Sequence, residues 1–357
     1  MDKVNYHIEI QFSDGIGWLA RFRQPNVSLP ADLVTYQMRS EIATLQFMSK
    51  TNIPVPKVLD YYLGQGHPIG APYILVEKLW GQPLQNWHLL PSPQKRKVMH
   101  QLADIHINLQ KFPFDRVGSL DSPNTDHVKP LVRACLTEFQ QSRMGRLGPY
   151  SSTRDYLLAK LQITLDEIRR ARRYDRQAID TYLVSRFLHR IALNRMEEVF
   201  GRNHGDGQFY LRYHSQQMLV DDEYQITGLM GWDWTQTDTA SAAFNSPRML
   251  LPATEFYAGT TELGADELEF AQILEDKGRG DLAAIAWQGR IIHWFEYCCE
   301  FDFTSPNWQG FYGPFGALLR VLNCVNTWHG WRGVALRVYQ NDGYLRQAKI
   351  RRRTQRL

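Results

Sequence analysis

Two short apolar runs separated by an acidic turn, between residues 217 and 234, constrain the fold of this chain more than any other feature. The first run spans residues 218–220, the second spans 226–230, and the acidic residues 221–223 lie between them. Short apolar runs joined by a polar turn indicate a β-hairpin. Because the patterns from about residue 91 onward are otherwise mainly helical, the sequence predicts a hairpin embedded in a helical region.

The first 80 residues carry the pattern of a small sheet. Apolar and polar residues alternate over 6–12 and again over 18–23, with a turn at 13–15, which predicts a hairpin with one half-buried face. Residues 53–62 begin with prolines that stiffen the entry into a strand. Residues 73–79 form a short, continuous apolar run, as expected for a central strand.

Residues 33–49 change to a helical period, and one carboxylate lies within their apolar stripe. Glu41 shares this stripe with Met38, Ile42 and Leu45. Burying a carboxylate without a partner is costly, so Glu41 requires a cation, and Arg21 on the second strand is the candidate. The alternative left open is that Glu41 borders the stripe and remains solvated.

Composition excludes several classes of protein. A chain of 357 residues with 43% hydrophobic and 22% charged residues is typical of a globular protein with two lobes or domains. No apolar run approaches the ~20 residues of a membrane helix, and the N-terminus lacks the apolar core of a signal peptide. The four cysteines lack metal-ligand spacing. These features predict a reducing, cytoplasmic location without a membrane span.

Basic residues concentrate in two segments, although the formal net charge is only +4. Five arginines lie between residues 169 and 176, and six basic residues lie in the last twelve. The simplest interpretation is a solvated helix face and a basic tail. Binding to nucleic acid, to an acidic membrane or to a nuclear import receptor stays open, and with it a nuclear location. No zinc-finger, helix-turn-helix or RNA-binding signature accompanies the charge, so nucleic-acid binding is not indicated.

In this order, the segments resemble the aminoglycoside phosphotransferase and choline kinase-like superfamily, and most closely its fungal members. The matching residues are 18–21, 39–45, 53–58, 73–78 with Gly81, and 218–221 through 226–228. The resemblance implies an α+β, bilobal, protein-kinase-like fold. It assigns residues 1–80 to a small β-rich lobe with one helix, 81–340 to a large, mainly helical lobe containing the hairpin, and 341–357 to a basic tail. The family's first strand and most of its glycine-rich loop would precede Asn5, so we expect a lid over the phosphates to be missing or replaced by an unrecognisable segment, and a truncated gene model would explain the difference equally well.

The resemblance also implies roles for individual residues. Such enzymes transfer the γ-phosphoryl group of ATP to a small-molecule hydroxyl with the help of Mg²⁺. Arg21 matches the cation that holds the α- and β-phosphates, and Glu41 matches its helix partner. Val76 and Glu77 lie in the strand and hinge that would meet an adenine, with backbone groups free to bond its edge.

Three other positions depart from the family pattern. Gln217 stands where the family has the first metal ligand, Asn or His, and Gly231 stands where it has the second, an Asp. Arg212 stands at the position of the catalytic Asp. Glutamine is a weak oxygen ligand for Mg²⁺ and glycine offers no side chain. Arginine cannot accept a proton from an acceptor hydroxyl.

A gapped alignment restores both acids. Residues 204–206 read His-Gly-Asp, the form of the family's catalytic motif, so Asp206 becomes the catalytic residue if the loop after it carries about six extra residues. Asp233 lies two positions beyond Gly231, and on a strand this offset keeps it on the same face. Asp233 would then be a metal ligand.

The favoured hypothesis is a pseudokinase with lost or very weak phosphotransfer, which binds an unknown small molecule or partner in the interlobe cleft and needs no cofactor. The first alternative is an active transferase, dependent on ATP and Mg²⁺, that uses Asp206 and Asp233. The second is a basic scaffold associated with nucleic acid. An aromatic cluster between residues 287 and 312 is interpreted as core, with a ligand pocket as the alternative. The sequence indicates neither the ligand nor the oligomeric state.

Overall fold

The computed structural model describes residues 5–24, 31–64, 66–132, 147–170, 177–201, 207–213, 217–305, 307–325 and 327–354. The chain divides into two compact units. The first comprises Met1–Ser151, Gly207–Phe244 and Glu269–Ala283, and the second comprises Ser152–Asp206, Asn245–Leu268 and Ala284–Leu357. The lobe boundary that the sequence predicts near residue 80 does not coincide with a boundary between these two units. The division into lobes at that residue stays a prediction.

The first unit begins with a four-stranded antiparallel sheet. Its strands are β1 (Asn5–Gln11), β2 (Gly17–Arg23), β3 (Val58–Tyr62) and β4 (Tyr73–Glu77), in the order β1-β2-β4-β3. Helix α1 (Ala31–Met48) follows β2 and buries its apolar stripe. The short apolar run of β4 lies between two strands, as the sequence predicts.

Three further small sheets complete the strands of the first unit. They contain β5 (Gln82–Pro83), β6 (Ser119–Leu120), β7 (Val128–Lys129), β8 (Phe209–Arg212), β9 (Met218–Val220), β10 (Ile226–Leu229) and β11 (Gln236–Thr239). The sheets have the orders β10-β9-β5, β11-β8 and β6-β7. The predicted hairpin is therefore present as β9 and β10, and it continues into a third strand, β5.

Helices make up most of the remaining described chain. They are α2 (Ser92–Leu109), α3 (Thr153–Arg170), α4 (Ala178–Asn194), α5 (Met196–Phe200), α6 (Ala240–Ala243), α7 (Ala253–Ala258), α8 (Ala265–Asp276), α9 (Gly280–Trp287), α10 (Ile291–Glu300), α11 (Gln309–Val321), α12 (Trp328–Val338) and α13 (Gly343–Thr354). Short 3₁₀ turns occur at Trp87–Leu89 and Arg248–Leu250. Within the segment predicted as a basic tail, residues Gly343–Thr354 form helix α13. Among the helices within the described ranges, none combines the length and the hydropathy needed to span a bilayer.

Aromatic side chains fill the core of the second unit. Most rings of the cluster that the sequence singles out are buried: Trp294, Phe295, Phe303, Trp308 and Phe311. Phe311 is fully buried and stacks on Phe315 of the same helix, with 5.1 Å between ring centroids. The exposed rings of the cluster lie at its two ends, where Trp287 and Tyr312 are 44% and 42% exposed. This packing favours the interpretation of the cluster as core.

Candidate functional site

Arg21 and Glu41 form an ion pair in the first unit. Arg21 lies on β2 and Glu41 on α1, and Nη1 of the guanidinium donates to Oε1 of the carboxylate. The exposed fractions of the two side chains are 13% and 2%. The predicted cationic partner is therefore confirmed, and the alternative of a solvated Glu41 is wrong. A guanidinium has five N–H donors in a fixed fork, so the pair holds in place a cation that suits phosphate oxygens.

The end of β4 is more tightly bonded than the sequence suggests. Val76 is buried, and the amide of the next residue, Glu77, donates to the carbonyl of Lys57 at 2.9 Å. The amide of Lys78 donates to the carbonyl of Gly17 at 3.0 Å. The expectation that the backbone here is free to bond an adenine is wrong for these two N–H groups, because β4 is central and its neighbours use them.

The segment after β4 is fastened to the β9–β10 hairpin. The hydroxyl of Thr227 donates to the carbonyl of Trp80 at 2.6 Å, and the amide of Leu84 donates to the carbonyl of Met218 at 2.8 Å. Gly81 permits this approach: its φ is +116°, and a Cβ there would lie 2.8 Å from the carbonyl oxygen of Val220. Hydrogen bonds thus join the segment after β4 to the β9–β10 hairpin.

Arg212 is part of a buried ion pair. It ends β8, and its Nη1 lies 3.3 Å from Oδ2 of Asp238 on β11. The side chains are 8% and 6% exposed. Asp238 also accepts from the Nε2 of Gln236 at 3.3 Å and from the amide of Thr239 at 2.9 Å. Arg212 therefore neutralises a buried acid within the fold.

The two metal positions of the ungapped alignment lie together at the open end of the hairpin. The amide of Met230 donates to the carbonyl of Gln217 at 2.8 Å, which places Gly231 beside Gln217. The hydroxyl of Tyr213 lies 2.9 Å from the carbonyl of Gln217 and 3.0 Å from that of Met230. Gln217 itself is exposed, and Gly231, with φ of +79°, offers no ligand.

Asp233 is not on a strand. β10 ends at Leu229, and Asp233 lies in a turn in which the amide of Thr235 bonds the carbonyl of Trp232 at 3.3 Å. The expectation that Asp233 shares a strand face with position 231 is therefore wrong, because the positive φ of Gly231 turns the chain before that residue. Asp206 lies outside the described residues. The proposed roles of these two acids stay predictions.

Three residues near the site are not singled out by the sequence. Tyr213 and Trp232 contact one another with 4.9 Å between ring centroids, and the indole of Trp232 donates to the carbonyl of Leu229 at 2.9 Å. Asp238 is the third. Over the described ranges, no group of three or more His, Cys, Asp and Glu side chains has an arrangement that could hold a metal ion.

Comparison with curated proteins finds fungal relatives over a limited stretch, and no family model matches. A subtelomeric hrmA-associated cluster protein of Aspergillus fumigatus is 34% identical over 87 residues, which are 24% of this chain and 17% of that protein. Altered inheritance of mitochondria protein 9, mitochondrial, of Candida glabrata is 29% identical over 115 residues, 27% of this chain and 18% of that protein. The chain thus spans less than a fifth of the length of these relatives. The cytoplasmic location predicted from the sequence is wrong, because these relatives include proteins named as mitochondrial, also in Candida tropicalis and Zygosaccharomyces rouxii.

Comparison with solved structures identifies the fold. The gentamicin complex of the phosphotransferase APH(2")-IIa has a TM-score of 0.51 at 10% sequence identity, with 89% of this chain and 92% of that chain covered. The GDP complex of aminoglycoside 2'-phosphotransferase-IIIa has a TM-score of 0.47 at 15% identity, with 99% and 91% covered. The first of these two comparisons confirms the kinase-like α+β fold of the aminoglycoside phosphotransferases that the resemblance implies.

Proposed function

We propose that this chain, which has the kinase-like fold of the aminoglycoside phosphotransferases, is a pseudokinase that binds a phosphate-bearing small molecule at Arg21 without transferring the phosphoryl group. A nucleoside triphosphate is the ligand class to test first. The observation that carries the proposal is the contrast between two arginines. Arg21 is held by Glu41, at the position where the family binds phosphates, whereas Arg212 neutralises a buried acid where the family has its catalytic Asp.

Support for binding comes from the ion pair itself. Glu41 is almost fully buried, and its charge fixes the position of the Arg21 guanidinium. Because the Arg21 side chain is already held in place, it loses less conformational entropy when a ligand binds. Arginine recognises phosphate through paired N–H donors. The engaged amides of Glu77 and Lys78 remove two groups that would bond an adenine edge, which favours recognition of the phosphates over recognition of the base.

Support for the loss of transfer comes from the other positions. Phosphoryl transfer depends on a residue that orients the acceptor and on Mg²⁺ that neutralises the developing charge. Arg212 offers no proton acceptor, Gly231 offers no ligand, and Gln217 offers at most one neutral oxygen. The described residues therefore fit the phosphates of a nucleotide but do not fit its metal.

The test is nucleotide binding, measured by calorimetry and thermal unfolding with and without Mg²⁺. A ligand at 100 times its dissociation constant stabilises the fold by about 2.7 kcal/mol, a shift that is easily measured. We expect ATP to bind equally well with and without Mg²⁺, because the described site supplies no good metal ligand. Arg21→Lys should retain part of the binding, and the double variant Arg21→Met/Glu41→Met should lose it without leaving an unpaired buried charge.

Two outcomes contradict the proposal. Absence of any nucleotide or phosphate binding, in a wild-type chain that unfolds cooperatively, would refute the phosphate site. ATP turnover that requires Mg²⁺ and disappears in Asp206→Ala would show an active transferase instead. The second outcome would also establish the gapped alignment of the catalytic loop.

We also infer that the protein acts in the mitochondrion, because several of its fungal relatives are named as mitochondrial proteins. The inference is tested on the protein expressed at its natural level, by separating mitochondria from cytosol and probing both fractions. Recovery with the mitochondrial matrix or membrane markers is expected. Recovery with a cytosolic marker alone would contradict it.

A further inference from the structure

Basic side chains concentrate on three helices of the second unit. Helix α4 contains two arginines, α12 contains two, and α13 contains five basic residues. The only acidic residue in the sequences of these helices is Asp180 on α4, and it is neutralised by Arg332 on α12, whose Nε lies 2.6 Å from its carboxylate. The whole chain has a formal net charge of only +4. The positive charge of these three helices therefore exceeds that of the entire protein.

Side-chain contacts hold the three helices next to one another. The guanidinium carbon of Arg186 on α4 lies 5.2 Å from the centre of the ring of Tyr339, the residue directly after α12. One turn earlier on α4, Tyr182 contacts Tyr344 of α13 with 4.6 Å between the ring centroids. The end of α12 and the start of α13 thus both border α4. Because charges this close act together, the electrostatic potentials of the three helices add.

Four arginines of these helices have no carboxylate as a partner. Arg190, Arg337 and Arg346 are exposed, and Arg186 is half-buried. None of the four forms an ion pair within the part of the chain that the structure describes. Asp342, the acid that precedes α13, already accepts two hydrogen bonds within the second unit. The surface formed by α4, α12 and α13, which we call the basic surface, can therefore accept an anionic partner.

Exposed apolar side chains lie among these charges. On α4, Leu193 follows Arg186 and Arg190 at a spacing that places all three on one helix face, and Leu193 is 42% exposed. On α12, Val338 is 56% exposed and follows Arg337 directly. Leucine and valine cannot bond the phosphates of a nucleic acid, whereas they enter the boundary between the headgroups and acyl chains of a bilayer. The mixture therefore favours a membrane surface over a nucleic acid.

We propose that the basic surface binds the face of a bilayer that contains anionic lipids. The arginines bond lipid phosphates through their N–H donors, and Leu193 and Val338 enter the headgroup boundary. Each arginine near an anionic membrane strengthens binding about fivefold. At an ionic strength of ~0.1 M this attraction acts over about 10 Å. Binding therefore requires several arginines together and weakens as salt is added.

Sedimentation of the whole chain with lipid vesicles measures this binding. Vesicles of phosphatidylcholine alone are compared with vesicles in which about a third of the lipid is phosphatidylserine, whose charge attracts basic segments. We expect binding only to the vesicles with phosphatidylserine, weakened about tenfold or more when the salt is raised from ~0.1 M to ~0.5 M. Equal binding to both kinds of vesicle overturns the proposal, and so does a lack of binding to either.

A pair of charge variants tests whether the basic surface makes the contact. Arg190→Gln/Arg337→Gln removes two exposed cations without breaking an ion pair, and it should weaken vesicle binding by about twentyfold or more. Lys57→Gln/Lys129→Gln is the matched control, because it removes two exposed cations from the first unit. This control should bind as wild type does. Equal losses in the two variants would show that net charge alone attracts the chain, which contradicts the proposed surface.

An apolar variant distinguishes a membrane from a nucleic acid. Leu193→Gln/Val338→Thr keeps every charge, so it should weaken binding to the phosphatidylserine vesicles several-fold and leave binding to a DNA or RNA duplex unchanged. Unchanged vesicle binding in this variant refutes insertion at the headgroup boundary. Tighter binding of the wild-type chain to the duplex than to the vesicles, at the same salt, would assign the basic surface to nucleic acid instead.

Discussion

The imidazole of His106 lies in the core of the first unit without a hydrogen-bond partner for Nδ1. It is located on α2 between the rings of Phe244 and Phe270, at centroid distances of 5.7 and 5.5 Å. Burial lowers the pKa of His106 from 6.5 to about 4, since the charged form loses its hydration. The folded chain therefore holds this histidine neutral at pH values where the unfolded chain protonates it.

The lowered pKa determines both the sign and the size of a pH effect on stability. The unfolded state binds more protons than the folded state between pH 6.5 and pH 4, so the free energy of unfolding decreases as the pH falls through this window. One pKa unit corresponds to 1.36 kcal/mol, which gives a full loss of about 3 kcal/mol. About 2 kcal/mol of this loss falls between pH 7 and pH 5.

Urea unfolding of wild type and His106→Leu at pH 7 and pH 5 measures this contribution. Leucine fits an apolar site between two rings and does not titrate, so the variant should lose about 2 kcal/mol less than wild type between the two pH values. His88→Gln, a substitution of an exposed histidine, is the control and should behave as wild type. Equal losses in wild type and His106→Leu would refute the reasoning.

Two further predictions concern contacts that hold each unit together. In the second unit, Nε of Arg290 lies 3.0 and 3.1 Å from the two carboxylate oxygens of Glu267, and both side chains are fully buried. Arg290→Met leaves the carboxylate of Glu267 buried without its partner, so it should lower the free energy of unfolding, measured in urea, by about 3–5 kcal/mol. Arg290→Met/Glu267→Leu should recover most of this loss, and failure to recover it would contradict the charge argument. In the first unit, Gly81→Ala places a Cβ 2.5 Å from Oγ1 of Thr227 and 2.8 Å from the carbonyl of Val220, at a strained φ. We expect this substitution to lower the free energy of unfolding by about 1–3 kcal/mol and to increase amide exchange in β9. Unchanged exchange in β9 would contradict the close contact between Gly81 and the β9–β10 hairpin.

Local patterns predict the elements and one ion pair of the site. The β9–β10 hairpin follows from two apolar runs and a turn, and the partner of Glu41 follows from the cost of burying a carboxylate on an apolar stripe. Both inferences use residues whose spacing within an element decides which way a side chain points. The central position of β4 follows in the same way from its continuous apolar run.

Contacts between distant segments could not be predicted in this way. Arg212 and Asp238 are 26 residues apart and lie on strands of only four residues, too short to show a period. The error over Asp233 has a different cause. The apolar run continues past the last strand residue, Leu229, so the pattern does not show that the chain turns at Gly231.

If position 212 corresponds to the family's catalytic Asp, as proposed above, the buried pair formed by Arg212 implies that an acid placed there would not give catalysis. Arg212→Asp places a second carboxylate beside Asp238, where both side chains are more than nine-tenths buried. Breaking a buried ion pair costs about 3–5 kcal/mol, and repulsion between the two acids adds to it. We therefore expect urea unfolding at a much lower midpoint and no gain of ATP turnover.

The exchanged variant Arg212→Asp/Asp238→Arg separates the effect on stability from the effect on catalysis. It keeps opposite charges on β8 and β11 and also provides an acid at position 212. It should regain part of the lost stability and remain without turnover, because positions 217 and 231 still lack a charged metal ligand. Turnover in either variant, with stability near that of wild type, would show that position 212 is the catalytic position and that Arg212 alone blocks the reaction. Stability would then depend little on the Arg212–Asp238 pair, and catalysis would depend on the identity of one side chain.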